Sequence, residues 1–184
     1  GATPVKIVAS AAVVLAVVAP HYLYIQARTP EAARNLYLQH AQLRRLAVDH
    51  IRAPIAASDI GQLSLDNPWL VVDLVGLATP AVFQRRFQRP RATWIAEVTA
   101  AANAPAAFIN PNWHGAPSPT WRLIGTLVLD VPRVAAASRR VKVYATRPNT
   151  VSQIRAAATE WAAQLPAGAS FLPSFLPPSP ARTH

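Results

Sequence analysis

A long apolar run near the N-terminus constrains this chain more than any other feature of its sequence. Residues 5–25 read VKIVASAAVVLAVVAPHYLYI, and between Ile7 and Ala19 the only polar side chain is that of Ser10. A helix of about 19 such residues would span roughly 28 Å, close to the ~30 Å hydrocarbon core of a bilayer. The run therefore predicts a transmembrane anchor over residues 1–28. The side chains that we expect to contact the membrane are those of Ile7, Val13, Val14, Leu15, Val17, Val18, Tyr22 and Tyr24.

Three other structures could account for this run. A buried core helix is possible, because the strictly apolar part is shorter than the ~18 residues of a typical span. A secretory signal has a shorter apolar region, and no small-residue cleavage site follows here. An amphipathic surface helix would need a polar face, which the run lacks. A second apolar stretch, 69–83, contains Asp73, Gly76 and Pro80, which argue against a second span.

Residues 29–53 have the pattern of a separate amphipathic helix. The sequence Thr29-Pro30-Glu31 combines a capping residue, a proline suited to the first helical position and an acid that favours the helix N-terminus. Apolar residues then recur at spacings of three and four, as on one face of a helix. We expect this face to dock on a partner through Leu36, Tyr37 and Leu43.

The remaining residues predict a small α+β body (54–165) and a proline-rich extended arm (166–184). We expect loops over 53–68 and 103–120, a short helix over 93–102, a hairpin of strands 121–131 and 140–146, and a helix from Thr150 to about Leu165. In the arm, Phe171 and Phe175 supply apolar groups for contact with a neighbour. The predicted fold class is a membrane-anchored, mainly α protein with a small β element.

The positive charge of the chain predicts anionic partners. The sequence has 18 Lys+Arg against 8 Asp+Glu, and nearly all of the cations are arginine, which binds phosphates and carboxylates in a bidentate manner. Beside an apolar anchor, such residues favour anionic, cardiolipin-like phospholipid or acidic protein over nucleic acid. The arginines that we expect to make these contacts are Arg44, Arg45, Arg85, Arg86, Arg89 and Arg91.

No motif in the sequence predicts catalysis. There is no cysteine, and the chain contains no glycine-rich phosphate loop, HExxH or GxSxG motif. Of the histidines, His21 could ligate a haem at the membrane exit, although an interfacial polar role is favoured. His40 and His50 are ten residues apart on one predicted helix and cannot share a metal there. His114 in its proline-rich loop is a candidate contact residue, and we expect no enzyme activity, cofactor or metal.

These features predict a non-catalytic structural accessory subunit of a large energy-transducing complex, a respiratory-chain complex or ATP synthase. The expected location is the mitochondrial inner membrane, in a single-pass arrangement after removal of a leader. Two alternatives stay open. One is a bacterial signal-anchored envelope protein; the other is a ribosome-associated, RNA-binding protein, which the basic composition favours and the apolar run opposes.

Overall fold

The computed structural model describes residues 3–88, 91–113 and 117–174. Its longest element is helix α1, which runs over 48 residues from Pro4 to Ile51. Four segments follow one another in α1: an α-helix over Pro4–Leu36, a π-helix over Tyr37–Ala41, an α-helix over Gln42–Arg45 and a π-helix over Leu46–Ile51. The other helices are α2 (Gly61–Ser64), α3 (Pro80–Gln88), α4 (Arg91–Ala101) and α5 (Val151–Ala162).

The predicted start of a second helix at Thr29 is wrong, because α1 passes through Thr29 and Pro30 without a break. The Thr29 hydroxyl does not cap; it donates to the carbonyl of Ile25 at 3.1 Å, as threonines inside helices do. Pro30 removes one backbone N–H from the ladder, on a part of α1 that is exposed. The helix ends instead at Ile51, and the capping residue Arg52 has a left-handed φ of 53°. The apolar run is thus joined to the rest of the chain without a linker.

The strands form one mixed sheet of six strands in the order β2-β1-β3-β5-β4-β6. Strand β1 pairs in parallel with β2 and with β3. The pairs β3–β5, β5–β4 and β4–β6 are antiparallel. A mixed α/β architecture follows, so the expectation of a mainly α protein with a small β element is only partly correct. The strands are β1 (Ile55–Ala57), β2 (Val71–Asp73), β3 (Ala106–Ile109), β4 (Arg122–Leu129), β5 (Arg140–Ala145) and β6 (Ala169–Pro173).

Helices cover both faces of the sheet. On one face, Leu46 and Ile51 of α1 and Trp161 of α5 belong to one core cluster with alternate strand residues; on the other, Trp94 of α4 anchors a second cluster. Strand β3 shows the alternation, because Phe108 belongs to the first cluster and Ile109 to the second. Burial on both faces removes the polar–apolar alternation that identifies a strand in sequence. This explains why β1 and β3 fall within segments that the sequence predicts as loops.

Several predicted elements are confirmed. The β4–β5 hairpin pairs Leu127 with Val141, and α4 and α5 occupy the positions expected of the short and the last helix. The start of the predicted arm folds back on its own sheet: Phe171 in β6 pairs beside β4 and packs edge-on against Trp161 at 5.5 Å. Gly125 allows this approach, since a Cβ there would lie 2.3 Å from the Phe171 ring.

Candidate functional site

The first half of α1 exposes its apolar side chains. No residue of its most apolar 18-residue stretch is buried, and by length and composition it is the one described helix that could cross a membrane. All of the side chains predicted to contact the membrane, from Ile7 to Tyr24, are exposed. Beyond Ile25, Arg28 donates to the Tyr24 hydroxyl at 2.7 Å and pairs with Glu31 at 3.6 Å. A charged and aromatic rim therefore borders the apolar surface.

The second half of α1 is held in the α/β part by buried amide side chains. Asn35, which is 1% exposed, donates to the carbonyl of Pro132 at 3.0 Å and accepts from the amides of Val134 and Ala135 at 2.6 and 3.3 Å. Gln39, also 1% exposed, donates to the carbonyl of Ser138 at 2.9 Å. These bonds fix the loop 132–138 against the helix just beyond its exposed half.

An open groove lies where this loop meets α1. One wall is the helix from Tyr24 to Ala32, and the other is formed by Arg133, Val134 and Ala135. The groove has a volume of about 440 Å³, within the range of ~300–1,000 Å³ typical of ligand sites. Arg28 and Arg133 both line it, together with apolar side chains. The combination suits a ligand with one anionic and one apolar part.

A second candidate lies at the carboxyl ends of β1 and β3. The chain leaves β1 through α2 on one face of the sheet and leaves β2 through α3 and α4 on the other. In open α/β sheets, such a topological switch point is the usual place for a ligand. Here Ser58 Oγ accepts a hydrogen bond from the backbone N–H of Asn110 at 3.0 Å, and His40 Nε2 lies 3.7 Å from Asp59 Oδ2.

The cavity enclosed by these residues is about 20 Å³, which corresponds to roughly one water molecule. Side chains of α1, including Gln39 and Leu43, close it from above. The polar crevice therefore has the residue types of a binding site but, in this arrangement, no room for an organic substrate.

The described histidines do not assemble a metal centre. Within 3–88, 91–113 and 117–174, no three histidine or acidic side chains group together as metal ligands would. His50 faces Glu160 at 3.7 Å, which ties α1 to α5, and His21 lies on the exposed half of α1. His114, the predicted contact residue, lies outside the described residues.

Several of the arginines predicted to contact headgroups or acidic partners bind within the chain. Arg44 donates to the carbonyls of Leu65 and Asp66, and Arg45 donates to Gln42 and Gln164. At α3, Arg85 pairs with Glu97 at 3.7 Å, and Arg86 donates to the Val75 carbonyl at 2.7 Å. Arg91 begins α4, and Arg89 lies outside the described residues. Contact of these arginines with lipid or partners stays a prediction.

The residues predicted to dock on a partner have different environments. Leu36 and Tyr37 are 41% and 54% exposed, whereas Leu43 is buried in the chain's own core. Phe171 packs on Trp161, and Phe175 lies outside the described residues. An exposed apolar surface, which the sequence did not identify as a docking site, follows the edge strand β2 in the chain. We call it the β2-edge surface, and its members are Leu77, Phe83 and Phe87. Leu77 and Phe83 line one shallow groove, and Phe83 packs edge-on against Phe87 at 5.2 Å.

A family of known proteins matches the chain from a position inside α1 onward. Residues 25–144, more than half of the chain, match the family described as Domain of unknown function (DUF8728). The chain belongs to this family. The DUF8728 match contains the buried half of α1, strands β1 to β4 and β5 as far as Tyr144, but not the apolar residues 4–24 or α5 and β6. No curated protein and no solved structure matches the chain.

Sequence reasoning missed the groove and the crevice for the same reason. Arg28 and Arg133, both within the DUF8728 match, are more than a hundred residues apart, and His40, Asp59 and Asn110 come from three separate segments of the chain. The one local signal was the placement of polar residues directly after apolar strand segments, as in Ser58-Asp59 after β1. That signal could be used only if β1 were recognised as a strand.

Proposed function

We propose that this protein is a membrane-anchored, non-catalytic accessory subunit of a large membrane complex. The observation that carries the proposal is the continuity of α1 from its exposed apolar half into the folded α/β part. Ten aliphatic side chains between Val5 and Ile25 are 49–76% exposed. Moving these surfaces out of water would be worth on the order of 10 kcal/mol, so water is a poor environment for this segment.

The direct connection between the two halves supports a scaffolding role. Because α1 enters the α/β part without a flexible linker and Asn35 binds the loop beyond it, the position of this part relative to the bilayer would be fixed. A fixed position suits a subunit that must contact neighbours at a set height above the membrane.

The β2-edge surface supplies a candidate contact with those neighbours. Leu77 is 84% exposed and Phe87 is 72% exposed, and Arg86 lies over the Phe87 ring at 5.3 Å. Contiguous exposed apolar residues of this kind are typical of protein–protein contacts, and aromatic residues with arginine are enriched in them. We propose that this surface binds a partner subunit.

As the host we propose an energy-transducing complex of the mitochondrial inner membrane, a respiratory-chain complex or ATP synthase. Its support is the composition: 18 basic against 8 acidic residues beside one apolar anchor suit a membrane rich in anionic lipid. The bilayer anchor and the host are separate parts of the proposal, and one experiment can distinguish them.

The test is to extract native membranes with mild detergent, size the particle that contains this chain and identify what co-migrates. We expect release only by detergent, in a particle far larger than the chain, with energy-transducing subunits. Leu77→Asp should free the chain from the particle but not from the membrane. Leu172→Asp, at the opposite edge strand β6, is the matched control and should change neither. Release by alkaline carbonate would refute the anchor, and migration alone would refute the subunit assignment.

A further inference from the structure

We infer that the groove between α1 and the loop 132–135 binds the phosphodiester headgroup of an anionic phospholipid. This inference rests on the proposed membrane anchor. It adds a ligand, an anionic lipid, and a site, which we call the exit groove, defined by Tyr24, Ile25, Arg28, Thr29, Ala32 and residues 133–135.

The exit groove lies at the height of a headgroup layer. If residues 5–23 occupy the hydrocarbon, Tyr24 to Arg28 extend about 7–8 Å beyond it. A headgroup layer is about 5–8 Å thick on each side of the bilayer. Arg44 and Arg45, by contrast, lie about 32–33 Å further along the helix axis than the end of the hydrocarbon. On this side of the bilayer, Arg28 in the groove is therefore the first basic side chain beyond the hydrocarbon.

The charges in the groove match one anion. Arg28 pairs with Glu31 at 3.6 Å and also binds the Tyr24 hydroxyl. Arg133 donates only to the backbone carbonyls of Ala136 and Ala137, at 3.1 and 3.2 Å, and among the described residues it pairs with no carboxylate. Two arginines and one glutamate leave a net charge of +1, which complements a single phosphodiester.

The remaining walls suit the glycerol and acyl parts of a lipid. Ile25, Ala32 and Val134 line the groove with apolar atoms, and the groove is open rather than enclosed. Asn35 holds Val134 and Ala135 through their backbone amides, so the loop that carries Arg133 is fixed before any lipid binds. A preorganised site loses less entropy on binding.

The experiment is to reconstitute the full chain into vesicles of equal phosphatidylglycerol and phosphatidylcholine, extract it in mild detergent and measure the retained lipids by mass spectrometry. We expect Arg133 to enrich phosphatidylglycerol over phosphatidylcholine about fivefold, the factor that ~1 kcal/mol per basic residue near a membrane surface corresponds to. Arg133→Gln should remove that enrichment and Arg133→Lys should keep most of it. Arg155→Gln, an equal charge loss on the exposed face of α5, is the matched control and should leave it unchanged.

Distinct results would overturn distinct claims. Failure of the wild-type chain to insert would refute the membrane anchor itself. Insertion without enrichment, or equal enrichment in the Arg133→Gln variant with an unchanged denaturation curve, would refute the exit groove alone. Displacement of phosphatidylglycerol by millimolar inorganic phosphate would show a general anion site and overturn the assignment to lipid.

Discussion

The two halves of α1 differ in which side chains they expose and which they bury. Residues 4–25 expose valine, leucine and isoleucine, whereas the half that packs on the sheet buries leucines together with three amides, Asn35, Gln39 and Gln42, at 0–1% exposure. In a water-soluble helix, apolar residues face the core and polar residues face the solvent. The difference supports the proposal that one continuous helix serves two environments, with the change over about three turns.

Burial of amides in the second half is compatible with stability because they are bonded. Asn35 makes three hydrogen bonds to the backbone of 132–135, and Gln39 makes one to Ser138. A buried polar group without a partner would cost about 1–3 kcal/mol. The second half therefore uses polar groups to fix a loop, while the first half has no intramolecular core to bury its apolar groups.

The largest expected difference between the halves is in the effect of removing a leucine. Leu46→Ala deletes a side chain that is 0% exposed, and we expect it to lower the free energy of unfolding by about 2–5 kcal/mol because a cavity is left. Leu15→Ala, at a position 65% exposed, should change it by less than about 0.5 kcal/mol. Denaturant unfolding of the full chain in detergent measures both, and equal losses would contradict the division of α1.

Charge insertion should affect the first half in a different way. Val14→Arg places an arginine near the middle of the apolar run, where membrane insertion would cost about 2.5–3.5 kcal/mol. We expect roughly a hundredfold loss of retention in membranes resistant to alkaline carbonate, with the α/β part still folded. The control is Leu77→Arg, at a position of the α/β part where the native leucine is 84% exposed. This variant should remain membrane-bound. Full retention of the Val14→Arg variant would show that these residues do not contact lipid.

The boundary between the halves can be tested at Asn35. We expect Asn35→Ala to lower the free energy of unfolding by about 1–3 kcal/mol, because the loop amides that it bonds lose their buried acceptor. It should also increase amide hydrogen exchange at Val134 and Ala135. Asn112→Ala removes one exposed bond to the Ala137 carbonyl and should cost less than ~0.5 kcal/mol. Unchanged exchange in the Asn35→Ala variant would contradict a clamped loop.

The smallest expected effect is a pH dependence confined to the α/β part. Burial against Trp121 and its neighbours raises the pKa of Tyr144, so its hydroxyl stays neutral in the folded state where an unfolded tyrosine ionises. Its contribution to stability is complete below about pH 10 and is lost as the pH rises further. Tyr144→Phe should therefore flatten the fall in unfolding free energy above that pH. A fall of the same slope in both proteins would assign it to another group.

The parts of the fold that follow from short-range patterns were predictable. The apolar run from Ile7 to Ala19 and the alternation in Arg140–Ala145 both identified their elements. Strands β1 and β3 were missed because alanine-rich segments buried on both faces, such as Ile55–Ala57, show no alternation. The exit groove could not be predicted, because Arg28 and Arg133 line the same groove only when the loop 132–138 folds onto α1.

We propose that α1 passes from lipid into the folded α/β part as one helix. The chain has no cysteine, so single cysteines can be placed along 7–51 of the full chain in vesicles and spin-labelled. Accessibility to oxygen and to a water-soluble nickel reagent then reports the surroundings of each label. We predict that exposed positions from 7 to 23 are reached by oxygen and shielded from nickel, and that nickel accessibility first appears at 26–30. Nickel accessibility along 7–23 of the membrane-bound chain would contradict the account.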